Sequence, residues 1–121
     1  MIFAIDFDGT CVTHEYPEIG RDIGAAPVLK KLVAAGHRLI LWTMRSDQAL
    51  VDAVKWFADN EIPLFGINEN PEQKNWTQSP KAYAQMYIDD AAFGAPLITD
   101  IISCRPYINW EAVENNLKHI F

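Results

Sequence analysis

The stretch IFAIDFDGT, residues 2–10, constrains this chain more than any other. It runs apolar residues without alternation into two aspartates one residue apart, then reaches a glycine. Unbroken apolar strands belong to parallel sheets covered on both faces, whereas carboxylates resist burial. The strand over residues 2–7 must therefore deliver its acids to an edge of the core, where something offsets their charge. AQMYIDD, residues 84–90, repeats the plan and also ends in paired acids. HRLILWT, 37–43, reads as a further buried strand ending in a hydroxyl. LFGIN, 64–68, reads as a short one, and PLITDII, 96–102, is a candidate fifth.

Between these strands the apolar period changes. A helix is expected from Ala25 or Pro27, with Leu29, Leu32 and Val33 on one face, Lys30 and Lys31 turned outward, and Gly36 to cap it. Ser46 or Asp47 opens a second, whose Leu50, Ala53, Val54 and Phe57 fall at i, i+3, i+4 and i+7, and which stops before Pro63. A terminal helix from Asn109 carries Trp110, Val113, Leu117 and Phe121 as its apolar stripe. Residues 11–24 and 69–80 read as loops, the second with room for one helical turn. The alternation predicts an α/β fold: a three-layer α/β/α sandwich with a mainly parallel central sheet, built as one domain over residues 1–121. Right-handed crossovers place all strand C-terminal ends along one edge. Asp6, Asp8, Thr43, Asp89 and Asp90 then meet in the crevice where open α/β sheets bind ligands.

Carboxylates gathered there repel one another unless a cation lies between them. Magnesium suits the set, because it takes oxygen ligands and pairs with phosphate. The three histidines, His14, His37 and His119, are scattered in sequence and give no zinc pattern. The formal net charge of −6 argues against a duplex nucleic acid partner. No run approaches the roughly 20 apolar residues of a membrane helix, and no signal peptide is visible. Cys11 and Cys104 are expected as free thiols, and the expected compartment is the cytoplasm.

The motifs resemble those of the haloacid dehalogenase (HAD) superfamily. DFDGT resembles its first motif, LWTMR its second, and YIDD its fourth, in the family's order along the chain. SPKAYAQMYIDD supplies a lysine upstream, as the third motif needs. The resemblance implies a magnesium-dependent phosphatase. In it Asp6 is the nucleophile that forms an aspartyl-phosphate. Asp8 is the proton carrier, Thr43 holds a phosphoryl oxygen, and Lys81 is the phosphate-binding lysine. Magnesium would be held by the Asp6 carboxylate, the Asp8 main-chain carbonyl, Asp89 and Asp90. Gly9 and Thr10 would turn the chain so that backbone N–H groups face the phosphate. Lys81 lies eight residues before Asp89, a reach of roughly 25 Å if extended, so it serves only if the chain doubles back. Lys74 is the alternative.

No segment is long enough for a cap domain, so the site is expected to be open to a phosphorylated small molecule or macromolecule. A partner subunit in a homo-oligomer is one way to close it. Arg45 offers either a hold on a second anionic group of the substrate or a salt bridge at the rim. Asn68 and Asn70 reach the mouth or serve turns. Trp76 is a candidate platform in a polar loop, and Cys11 a packed small residue. Two other functions fit the composition: a HAD-fold binding protein without catalysis, and a phospho-acceptor signalling domain. The second lacks its lone mid-chain acceptor Asp, since LFGIN ends in Asn.

Overall fold

The computed structural model describes all residues, Met1–Phe121. Its elements are β1 (Ile2–Ile5), α1 (Ala25–Ala34), β2 (Arg38–Leu41), α2 (Asp47–Asp59), β3 (Gly66–Ile67), β4 (Met86–Ile88), β5 (Leu97–Ile98), β6 (Tyr107–Ile108) and α3 (Trp110–Asn116). The first four strands form one parallel sheet in the order β3-β2-β1-β4. β5 and β6 pair antiparallel in a separate hairpin, so 96–102 adds no strand to the main sheet.

Period two along the strands sorts the sheet into two faces. Phe3, Ile5, Leu39 and Leu41 are fully buried and share one core with Leu29 and Leu32 of α1, Phe57 of α2, and Trp110 and Val113 of α3. Each such side chain contributes roughly 1.5–3 kcal/mol of burial free energy. Ile2 and Ile40 point the other way and pack on Ala82, with Trp42 and Phe65 partly covering them.

All three helices therefore lie on one face. The expected three-layer sandwich is corrected in this respect: its third layer is an irregular segment with a single 3₁₀ turn at Gln73–Asn75. Handedness explains the placement. The β1→β2 and β2→β3 crossovers progress in one direction, whereas β3→β4 returns past β1 and must cross the opposite face. Pro71 and Pro80 and the lack of an apolar period keep that return from becoming a helix. Gln73 holds it instead, donating to the Ser79 and Lys81 carbonyls and accepting from the Tyr83 N–H.

α1 ends as its sequence indicates, with Gly36 at φ +91° and its N–H on the Val33 carbonyl. α3 is shorter than its stripe. Asn109 caps it through the Ala112 N–H, but a 3₁₀ turn over Lys118–Ile120 follows and leaves Phe121 41% exposed. Both cysteines are free thiols, Cys11 buried and Cys104 exposed. No helix is long and apolar enough to cross a membrane.

Candidate active site

Strand register brings the acids together. Ile5 pairs with Ile88 on one side and with Leu41 on the other, so the next residues, Asp6, Asp89 and Trp42, emerge side by side. The Asp6 N–H donates to the Ile88 carbonyl at 3.0 Å. Oxygens of Asp6, Asp89 and Asp90 all lie within 4.8 Å of one another. Asp6, Trp42, Thr43, Met44, Asn68 and Asp89 line an open cleft of about 350 Å³.

Thr10, wholly buried, ties the first acidic segment to the second. Its hydroxyl donates to Asp6 Oδ2 at 2.8 Å, lies 3.3 Å from Asp90 Oδ1, and accepts the Asp90 N–H at 3.0 Å. Trp110, on α3, donates its indole N–H to the Thr10 carbonyl at 2.6 Å. The terminal helix thus braces the loop that carries the acids. Asn68, in the left-handed region at φ +55°, accepts the Thr43 N–H at 2.8 Å and fixes the far side of the cleft.

Crowding shows in the electrostatics. Burial, a hydrogen bond shared with Asp90 and the charge of Asp89 push the Asp6 carboxyl from 3.8 up to about 8, against the pull of the Thr10 hydroxyl. An acid held this way favours either a proton or a cation. Three carboxylates with convergent oxygens are the donor set of a hard divalent ion, and the Asp8 carbonyl beside them accepts no hydrogen bond within the protein. The residues could therefore hold a hard divalent cation, magnesium among them.

Several expected residues stand differently. Asp8 is not one of the clustered carboxylates: Arg45 holds it, Nη2 on Oδ1 at 2.7 Å and Nε on Oδ2 at 2.8 Å. Arg45 is only 3% exposed. Its remaining N–H groups donate to the Pro17, Glu18 and Ala49 carbonyls. With all five donors engaged, it has none left for a substrate, so the substrate-holding role for Arg45 is corrected to a structural one.

Gly9 and Thr10 are also corrected as phosphate donors. Their backbone N–H groups are spent on the Val12 and Phe7 carbonyls. The free ones lie just upstream: Phe7 and Asp8 donate to no protein acceptor. Gly9 is required for another reason. At φ +82°, a Cβ there would collide with the His14 ring and the Asp90 carboxylate.

Neither lysine joins the acids. The Lys81 ammonium sits 5.5 Å from the centre of the Tyr87 ring, and Lys74 makes no ion pair. His14 does reach the acids, with Nε2 2.8 Å from Asp90 Oδ2. In sequence it is one of three scattered histidines. Its position four residues after Thr10, on the same loop, was the available signal.

Asn70 is buried and holds the return segment through the Tyr83 carbonyl and the Glu72 N–H, away from the cleft. Trp76 is half exposed, edge-on to Tyr83 at 5.5 Å. Burial, with the charges of Asp6 and Asp8, pushes the Cys11 thiol well above its ordinary value, so it stays a packed, inert group.

No family model matches the chain, and no curated protein matches it. A solved structure of a conserved protein from Bacteroides thetaiotaomicron is similar to it, with a TM-score of 0.77 and 32% sequence identity. The match covers 98% of this chain and 90% of that one. Likeness of sequence and fold over nearly the full length of both shows common descent: the chain belongs to the family of that conserved Bacteroides protein.

Proposed function

We propose that this protein is a magnesium-dependent phosphatase of HAD type, acting through an aspartyl-phosphate on Asp6. The observation that carries the reading is the junction after β1. There the Asp6 and Asp89 carboxylates line one cleft, Asp90 lies with them inside 4.8 Å, and the next two backbone N–H groups along the chain, at Phe7 and Asp8, have no partner in the protein. Paired acids alone would suit many cation sites. Free N–H groups beside them add a hold for an anion, and an anion next to clustered carboxylates calls for phosphate with a metal between.

The chain's own groups divide the work. The free N–H groups and the Thr43 hydroxyl hold the phosphoryl oxygens. The Thr43 oxygen accepts the Arg45 N–H at 3.1 Å, which leaves its proton to donate. The Asp6 carboxylate attacks phosphorus, and the bond to the ester oxygen breaks on the opposite side. Asp8, turned away from Arg45 and protonated from solvent, gives that proton to the departing oxygen. Water then attacks phosphorus, loses its proton to Asp8, and releases phosphate with Asp6 regenerated. Bound at Asp6, Asp89, Asp90 and the Asp8 carbonyl, magnesium would neutralise these acids and the phosphoryl charge.

Hydrolysis of a simple phosphate monoester, with and without magnesium, tests the reading. Turnover that needs magnesium and is lost in Asp6→Asn supports it. Equal turnover by Asp6→Asn contradicts it.

A further inference from the structure

The cleft joins acids at its base to a different chemistry at its mouth. Trp42, Thr43 and Met44 leave β2 in succession, and all three line it beside Asp6 and Asp89. Met44 is 99% exposed, a flexible thioether held in water. Trp42 packs against the Ile2–Ile40–Ala82 cluster and is only partly covered. Its indole N–H donates to nothing in the protein, whereas Trp56 donates to Asp22 and Trp110 to the Thr10 carbonyl. Asn68 spends its side-chain oxygen on the Thr43 N–H and its amide N–H groups on no acceptor. The mouth therefore offers apolar surface and neutral donors.

It offers no cation. None of the six lining residues is Lys, Arg or His. Arg45, next in sequence to Met44, is closed off by Asp8 and three carbonyls. A second phosphate on a substrate would find no cationic side chain in this lining, and a magnesium ion at the acids would already be shared between them and the first phosphate. A ring would meet an indole and a thioether, both of which favour aromatic contact. A space of about 350 Å³ stands at the lower end of small-molecule sites, and it suits a phosphate with one ring-sized group.

We infer that the substrate is a phosphate monoester bearing a single phosphate, whose alcohol carries an apolar, ring-sized group that rests on Trp42 and Met44. The inference rests on the phosphatase reading for its chemistry, but the subsite can be measured apart from turnover.

Three magnesium-dependent substrates decide it: benzyl phosphate, ethyl phosphate and propane-1,3-diyl bisphosphate. The first two release alcohols of similar basicity, so their ratio reports binding of the ring. The expected kcat/KM for benzyl phosphate exceeds that for ethyl phosphate by about tenfold or more, and the bisphosphate is the poorest of the three. Met44→Ser, at a fully exposed position, shrinks the benzyl-to-ethyl ratio chiefly through KM, and Trp42→Leu shrinks it further. Equal use of benzyl and ethyl phosphate, or preference for the bisphosphate, overturns the inference. Benzylphosphonate and methylphosphonate, which the protein cannot hydrolyse, give the second readout through quenching of tryptophan fluorescence. If no ester is hydrolysed, the phosphatase reading fails. The subsite still stands if benzylphosphonate binds more tightly than methylphosphonate and Trp42→Leu removes the difference. It falls if the two bind alike.

Discussion

The Arg45 guanidinium forks onto both carboxylate oxygens of Asp8, at 2.7 and 2.8 Å, from a position that is 3% exposed. One buried cation thereby joins the loop after β1, the Pro17–Glu18 turn and the first turn of α2. Breaking one partner of such a pair leaves an uncompensated charge and orphaned carbonyls. Arg45→Ala is expected to destabilise the protein by about 3–5 kcal/mol. Chemical denaturation checks this. A loss below about 1 kcal/mol, the range of surface ion pairs, would contradict the structural role.

Asp6 makes stability depend on pH in a direction opposite to most paired carboxylates. Its carboxyl titrates near 8 in the folded, cation-free protein, against 3.8 ordinarily. Between those values the folded state binds a proton that the unfolded state has released. Stability from this group is therefore full below about pH 4 and lost as pH rises toward 8. Without magnesium, the wild type should lose more Tm than Asp6→Asn between pH 5 and pH 8. Magnesium should restore the difference and release a proton on binding at pH 7. Titration calorimetry in buffers of different ionisation heat measures that release; its absence would contradict the crowded-acid description.

His14 orients Asp90 through its Nε2 contact at 2.8 Å. Groups that hold a ligating carboxylate from behind commonly matter about 10–100-fold in metal affinity. His14→Ala should weaken magnesium binding by about tenfold or more, and His14→Gln should recover part of it. Unchanged magnesium affinity in His14→Ala would show that Asp90 does not depend on the imidazole.

Gly9 allows that contact to form. A side chain there meets both a left-handed φ of +82° and the space of the His14 ring. Gly9→Ala is expected to destabilise by more than about 1 kcal/mol and to weaken magnesium binding together with His14→Ala. A stable Gly9→Ala variant with wild-type affinity would contradict it.

The parallel sheet and the meeting of Asp6, Thr43 and Asp89 were legible in the sequence, because period and strand order determine which residues reach one edge. The helix starts at Ala25, Asp47 and Asn109 were legible for local reasons, a loop ending, a Ser-Asp pair and a change of period, although only Asn109 caps through its side chain and Ser46 makes no such bond. What escaped the sequence depends on long-range choice. That 69–80 is a loop with one helical turn was legible locally; that it must cover a sheet face was not, and follows from β4 returning past β1. Arg45 looked available at a strand end, but its fate was decided by Asp8 and by carbonyls nearly thirty residues upstream. His14 looked isolated because its partner, Asp90, lies 76 residues away.

Borohydride trapping of the phosphorylated enzyme tests the central claim most directly. Protein quenched during turnover of benzyl phosphate with magnesium is reduced, digested and mapped by mass spectrometry. An aspartyl-phosphate at position 6 is converted to homoserine there, and only when substrate and magnesium are both present. Sustained turnover with an unmodified Asp6, or with homoserine at Asp8, Asp89 or Asp90 instead, would contradict the assignment.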